Sequence, residues 1–418
     1  MSPDPPISMD RESAAVEEAA RRLADDDDPR AHVFLEQRLD ARIVFDSEGL
    51  QDRRVTRTRG LAVAGRHSIH VTDPALDEIP EVVAGKIPTR SAGGWSGPED
   101  DITPLSVLPE PPAALKGLRW TARLVEFDQK IWVGTRAGVV QDRRRGRRLS
   151  VRAGLREVEY VLDPDRASLS PAWDSVEPVP AATGTPPDRP FVAVFAPGVA
   201  GVIAHELFGH ALEADVVLRT PTWVQRMTRP ARAPLDVNDD PTRGRASWRF
   251  DDEGTPSRSV LLIDHGAPSG VLLDRERGAK LGLDSTGHGR RSSYLESIRP
   301  RMGCTVIGNG SEDPAAIVRG TTSGIYVRRL TAGRVDPVEG RATFVVSDAA
   351  RIAQGVIGER LMPFVIMLDG PEMWDSLDAV GSDGALDSCV GSCIRDGQPL
   401  AVSVGAPTIR IGLVRAFA

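Results

Sequence analysis

One segment constrains this chain more than any other. GVAGVIAHELFGHALEAD, residues 198–215, is the most helical apolar run in a sequence whose later half otherwise alternates like strands. It follows a short apolar strand, FVAVF (191–195), and Pro197, where a helix can begin because proline at the first helical position loses no hydrogen bond. Past Arg219 the pattern turns to strands: SVLLID, GVLLD, RATFVVSD and LAVSVGAPTIRIGLV, with Gly-containing turns between them. SVLLIDHGAPSGVLLD predicts a hairpin with a longer loop.

The first part of the chain has a different character. Arg11 to Leu23 is rich in Ala, Glu and Arg and predicts a helix that stops at Asp25–Asp28 and Pro29. Segments such as ARIVF and GLAVAG then predict a twisted antiparallel sheet. Residues 85–115 are rich in Pro, Gly and Ser and predict a long connection, with a weakly signalled helix around 112–125. Strands resume at KIWVG, AGVVQD and RRLSVRAG, with the cationic DRRRGRR (142–148) as a solvated hairpin tip. VEPVPAATGTPPDRP (176–190) is the best linker, so 418 residues divide into an N-terminal domain, 1–180, and a C-terminal domain, 190–418.

Composition excludes some function classes. With 40% hydrophobic and 27% charged residues, the chain has the balance of a soluble globular protein. A net charge of −7 argues against a surface built for nucleic acid or anionic membrane. The longest apolar run, residues 191–204, contains Pro197 and is too short to span a bilayer. The N-terminus lacks the apolar core of a secretory signal, and three cysteines make no even disulfide framework, so a cytoplasmic location is expected.

The chemistry concentrates in HELFGH. His205 and His210 supply imidazoles of the kind zinc takes, and Glu206 stands beside the first. A glutamate so placed can take a proton from water as it attacks a carbonyl. Yet His205 and His210 are five residues apart, not four. On a regular helix five steps leave the side chains about 140° apart. Both reach one metal only if the helix widens or ends, so a metal site predicts an irregular helix at Phe208–His210, with Gly209 tolerating the distortion. Packed core histidines are the bland alternative.

Glu213 and Asp215 follow on the same segment as candidates to orient an imidazole, or as a solvated face. For a third ligand the residues leave Cys389 and Cys393 open, in DSCVGSCIRDGQ; Cys304 is assigned a structural place. His67 and His70 lack companions that would complete a ligand set. In 285–302, Arg290, Arg291 and Tyr294 are candidates to hold a peptide carboxylate or backbone, or simply form a surface loop.

Five segments occur in order: GVIAHELFGHALEAD, FDDEGTPSRSVLLIDHG, GHGRRSSYLESIRPRM, SGIYVRRLTAGRVDPVEGRATFVVSDA and CIRDGQPLAVSVGAPTIRI. Together they resemble the TldD/PmbA family of metallopeptidases, historically called modulators of DNA gyrase. The resemblance covers roughly residues 190–415 well and the N-terminal third loosely. HExxxH marks the active, TldD-type subunit. The resemblance implies zinc held by His205, His210 and Cys393, which CIRDGQ singles out over Cys389, with Glu206 catalytic. It also implies an α+β fold: an N-terminal α/β domain, then a largely β C-terminal domain carrying the zinc-site helix. Implied too are unfolded or leader peptides as substrate, bound as an added strand, and a homodimer or a heterodimer with a PmbA-type subunit. The chain departs in being shorter, in PRMGC, and in Ile394 and Arg395 where glycine and lysine are usual. A non-catalytic partner subunit is the competing reading, and DNA-directed regulation a third that the acidic charge disfavours.

Overall fold

The computed structural model describes residues 10–23, 28, 30–65, 68–84, 115–153, 156–162, 182–244, 247–388 and 391–417. Residues 85–114 of the connection expected at 85–115, residues 176–181 of the linker, His67 and Cys389 lie outside them.

The expected first helix, α1, spans Arg11–Arg22. Asp10 caps it by accepting a 2.7 Å hydrogen bond from the Ser13 N–H, and Glu12 and Arg21–Arg22 complement the helix dipole at opposite ends. Val16, Ala19 and Ala20 recur at helical spacing, and all three are buried. Val16 and Ala19 pack with Val33, Leu35, Leu61 and Trp132 of an antiparallel sheet. Its strands are β1 (His32–Asp46), β2 (Gly49–Ala64), β3 (Ile69–Thr72), β4 (Trp120–Thr135), β5 (Gly138–Ala153) and β6 (Arg156–Leu162), in the order β3-β2-β1-β4-β5-β6.

Two expectations fail here. Trp120 begins strand β4, so no helix runs through 112–125; Trp120, Ala122 and Leu124 alternate inward at strand period, and this overrides local helical preference. The cationic run is no hairpin tip either. Residues 142–148 lie in mid-β5, paired with 125–131 of β4. Strand alternation splits the arginines: Arg143 pairs with Asp128 and Arg147 with Glu126, while Arg144 is buried.

Beside two small two-stranded sheets, two larger ones carry most of the remaining strands. In one, the strands Val237–Asp239, Val260–Asp264, Cys304–Ile307 and Ser403–Ala406 lie in a row of six that includes two short edges. In the other, Ser323–Asp336, Phe191–Phe195, Ile409–Phe417, Phe364–Asp369 and Arg341–Ala353 pair in succession, and the last returns to the first, closing the circuit. The hairpin expected over 259–274 with a longer loop is tighter: Ile263–Asp264 pair with Ala267–Pro268 across two residues, His265 and Gly266, both at positive φ, and Leu272 instead bridges to Glu213.

The apolar segment lies between these sheets. Its helix begins at Gly201 rather than at Pro197, because Gly198 has φ +86° and donates its N–H to Ala406 O. A Cβ on Gly201 would come 2.3 Å from the Gly405 nitrogen, so glycine lets the helix touch the neighbouring strand backbone. Phe208 packs against Trp223 and Trp374, with ring centroids 5.6 and 5.8 Å away, deep in one continuous core. Truncating such a phenylalanine costs about 3–5 kcal/mol. The helix is thereby anchored in the core. Among the described residues no helix is long and apolar enough to cross a membrane.

Candidate metal centre

The helix that opens at Gly201 changes geometry at its first histidine. Gly201–Ala204 is α-helical, His205–Gly209 is a π-turn, and His210–Leu212 is 3-10. The His210 N–H bonds the His205 carbonyl, a five-residue step. The wider turn brings the two imidazoles to one side, with ring centroids 5.0 Å apart. Gly209 itself has ordinary helical angles, φ −56° and ψ −59°. What requires glycine there is space: a Cβ would come 1.9 Å from the Met302 sulfur.

Cys393 arrives from a separate two-stranded hairpin, Ser392–Arg395 with Gln398–Ala401. Its sulfur lies 3.4 Å from His210 Nε2, and ligand atoms of His205, His210 and Cys393 all fall within 4.8 Å of one another. All three residues are buried. Burial alone would raise the Cys393 thiol, but the charges of His210 and His205 outweigh it and hold it well below its ordinary value. Burial likewise works to lower His210, yet the charges of Glu213 and Cys393 carry it well above the usual range. Cys393 is therefore drawn toward thiolate and His210 toward imidazolium, each by the other's charge. Cys304 contrasts: burial pushes its thiol up to about 12, in keeping with a core position.

Glu206 contacts the same space, with its carboxylate 3.9 Å from His210 Nε2. Glu213, fully buried, accepts a 2.9 Å hydrogen bond from His210 Nδ1, which leaves Nε2 turned to Cys393. Burial raises the Glu213 carboxyl, but His210 and Arg395 overcome this and hold it at about 2. Behind the other imidazole, Thr305 Oγ1 stands 3.5 Å from His205 Nδ1 and donates to Asp239 at 2.7 Å. Carboxylates and hydroxyls so placed fix the orientation of ligating rings.

His205, Glu206, His210 and Cys393 floor a cleft of about 660 Å³, walled by Arg148 of β5, Thr331, Gly333, Arg334 and Val335 of one strand, and the rest of Gly391–Arg395. A smaller cavity of about 240 Å³, with Phe127 and Leu400 in its wall, shares Arg148, Gly391 and Ser392 with the cleft. Arg290, Arg291 and Tyr294 do not reach it. They are buried where 287–294 meets the first sheet: Arg290 and Arg291 surround Asp252, and the Tyr294 N–H donates to Glu36. His70 sits apart on β3.

Sequence reasoning missed Thr305, Asp239, Arg301 and Arg395. Arg301 lies near the end of the 285–302 segment, where Arg290 and Arg291 drew the notice instead, and Arg395 lay in CIRDGQ, where its significance was masked by its being a departure from the expected lysine.

Comparison with known proteins adds the family. The model of the PmbA/TldA metallopeptidase C-terminal domain matches residues 189–416. A metalloprotease TldD homolog from Buchnera aphidicola (subsp. Acyrthosiphon pisum) is 32% identical over 225 residues, covering 53% of this chain and 47% of the relative. A zinc metalloprotease TldD homolog from Saccharolobus solfataricus is 28% identical over 230 residues, 54% of this chain and 51% of the relative. The chain thus spans about half the length of the curated relatives it matches. In fold it is similar to the crystal structure of TldE from Thermococcus kodakarensis, with a TM-score of 0.67 at 14% identity, covering 98% of this chain and 100% of that one. Since the family model matches more than half its length, the chain belongs to the PmbA/TldD metallopeptidase family.

Proposed function

We propose that this chain is a zinc metallopeptidase that hydrolyses peptide bonds in unfolded or leader peptides. The observation that carries the reading is the meeting of His205, His210 and Cys393 at the floor of an open cleft, with Glu206 beside them. The donor set suits the metal: two imidazoles and a sulfur already drawn toward thiolate are borderline-soft ligands at closing distance. His205, His210 and Cys393 would hold zinc, which when bound supplies Lewis-acid polarisation of a carbonyl and of water.

The chain's own residues do the rest. Glu206 takes the proton of the attacking water at its carboxylate and returns it to the amine as the carbon–nitrogen bond breaks. Glu213 keeps His210 Nδ1 protonated and turned away from the cleft. The strand Ser323–Asp336 pairs with Phe191–Phe195 only from Ile325 to Val327. Beyond that its edge runs past the cleft through Thr331, Gly333 and Val335, which supports an extended peptide bound through its backbone. The cleft also takes a wall from β5, so residues 1–180 and 190–418, proposed as two domains, both shape it. A cytoplasmic homodimer, or a heterodimer with a PmbA-type subunit, is proposed on the family alone.

Metal analysis and a Glu206→Gln variant test this. Stoichiometric zinc in both proteins, with peptide cleavage lost in the variant, is the expected result. Absence of zinc from the parent chain, or unaltered cleavage by the variant, overturns the reading.

A further inference from the structure

The candidate metal centre joins two pieces of chain that share no strand pairing. His205 and His210 ride on the helix between the sheets, whereas Cys393 sits on a hairpin whose two strands pair only with each other. Something other than a sheet ladder must fix the sulfur against the imidazoles.

Arginines do this. Arg301, 1% exposed, donates to the backbone carbonyls of Cys393 and Gln398 at 3.1 and 3.2 Å and so carries the hairpin from beneath. Arg395, two residues past the cysteine, reaches back to the histidine segment. Its guanidinium donates to Asp215 at 3.0 and 2.7 Å and to Oε2 of Glu213. That Glu213 oxygen is the one that accepts from His210 Nδ1. One carboxylate therefore joins a histidine on the helix to an arginine on the cysteine hairpin. Its other oxygen, Oε1, is buried without a hydrogen-bond partner, and Arg301 Nε stands 4.0 Å away.

We propose that Arg395 is a positioning residue: a latch whose two catches, Glu213 and Asp215, set where the Cys393 sulfur stands relative to His205 and His210. The proposal rests on the zinc reading above and adds a determinant of metal retention outside the three ligands. The planar, five-donor fork of arginine spans both carboxylates at once, whereas a lysine ammonium is a point charge on a flexible stem. Glu213 shows why the latch bears on the metal: without Arg395 it keeps its bond to His210 but loses its nearest counter-charge. The Arg301 contacts to backbone would persist, so the expected result is a displaced sulfur rather than a detached hairpin.

The test uses the full chain and three variants, Arg395→Met, Arg395→Lys and Asp215→Asn. Zinc affinity is read by competition with a chromophoric chelator, and thiolate contact by the sulfur-to-cobalt charge-transfer band of the cobalt-loaded protein. Arg395→Met is expected to weaken zinc binding roughly 10–100-fold, the usual cost of losing a partner behind a ligand. It should also diminish the cobalt–thiolate band while the histidine-dominated visible bands persist. Arg395→Lys recovers part of both, and Asp215→Asn loses less than Arg395→Met. Unchanged affinity and an unchanged band in Arg395→Met overturn the latch, and so does full recovery by lysine. Should Arg395→Met not fold, unchanged values in both Arg395→Lys and Asp215→Asn overturn it equally. A parent chain that binds neither ion overturns the zinc reading and this proposal together; a parent that binds both, beside variants that bind as well, overturns this proposal alone.

Discussion

Two buried polar clusters hold this molecule together, and they differ in where their charges point. At the contact between the first sheet and the rest, Asp252 is fully buried among arginines: Arg144 at 2.5 Å, Arg290 at 3.3 Å, and the Arg291 backbone N–H at 2.7 Å. Arg290 stacks over Trp248 and Arg291 over Phe34, so the cations are covered by rings as well. The charges there are turned on one another. At the candidate metal centre Glu213, Asp215 and Arg395 are paired in the same manner, but in front of them stand two imidazole nitrogens, a sulfur and a carboxylate that face a cleft. Burial and charge pairing are common to both. Of the two, the second leaves candidate ligand atoms turned toward open space, and that separates a joint from a candidate reactive site.

The sharpest way to break this comparison is to substitute one carboxylate in each cluster. Glu206→Gln is expected to lower peptide cleavage by roughly 10²–10⁴-fold with the melting temperature and zinc content kept, since general acid–base groups contribute about that much. Asp252→Ala should do the reverse. It strands buried arginines without a counter-charge, at a cost of about 3–5 kcal/mol in urea denaturation, while the folded fraction keeps its zinc. If instead Asp252→Ala strips the metal at unchanged stability, the division into joint and reactive site is wrong. A smaller effect is expected from Glu213→Gln. It keeps the volume and a hydrogen bond to His210 but removes the charge, and should weaken zinc about 10-fold in a chelator competition.

What could be read beforehand follows from how local each feature is. The histidine pair and its glutamate lie within six residues, and a metal shared across their five-residue step required a helix that widens or ends, expected at Phe208–His210; the π-turn at His205–Gly209 widens it, beginning three residues earlier. Gly209 was credited with flexibility, whereas Met302, almost a hundred residues on, requires its lack of a side chain. Cys393 meets His210 across 183 residues, a distance no spacing rule reaches, and it was chosen over Cys389 only through the resemblance of CIRDGQ to the family's segment. The cationic run at 142–148 misled for the same reason. Its character as a solvated tip was read from composition, but strand alternation divides the side chains between faces, and the carboxylate that buries Arg144 comes from 108 residues away. Arg290 and Arg291 were weighed for substrate binding because nothing local shows that Asp252 awaits them.

The smallest expected effect sharpens the comparison from the side of the joint. Next to Asp252, burial and the neighbouring Asp251 and Asp274 push the Glu253 carboxyl up to about 8 from an ordinary 4.5, against the opposing pull of the Arg275 N–H and charge. Between those values the folded chain holds a proton that the unfolded chain has released. Raising the pH through that window therefore costs stability: the contribution is fully present below about 4.5 and is lost as pH climbs toward 8. Asp251, raised to about 6 chiefly by burial, acts in the same sense over the lower part of the window. His32 acts oppositely. Its burial holds it neutral down to about 3, so folding gains as pH rises to 6.5, where the unfolded histidine loses its proton. Above 6.5 Asp251 adds little more to the fall and His32 no longer opposes it. His265, raised by its hydrogen bond to Asp264 and by the charges of Asp236 and Asp264, falls in the same sense, so the share that belongs to Glu253 is the share its substitution removes. Thermal melts of the zinc-loaded parent from pH 6.5 to 8 should show that fall, and Glu253→Gln, which cannot ionise, should flatten it. A parent and variant whose melting temperatures run parallel across the range would place the proton elsewhere.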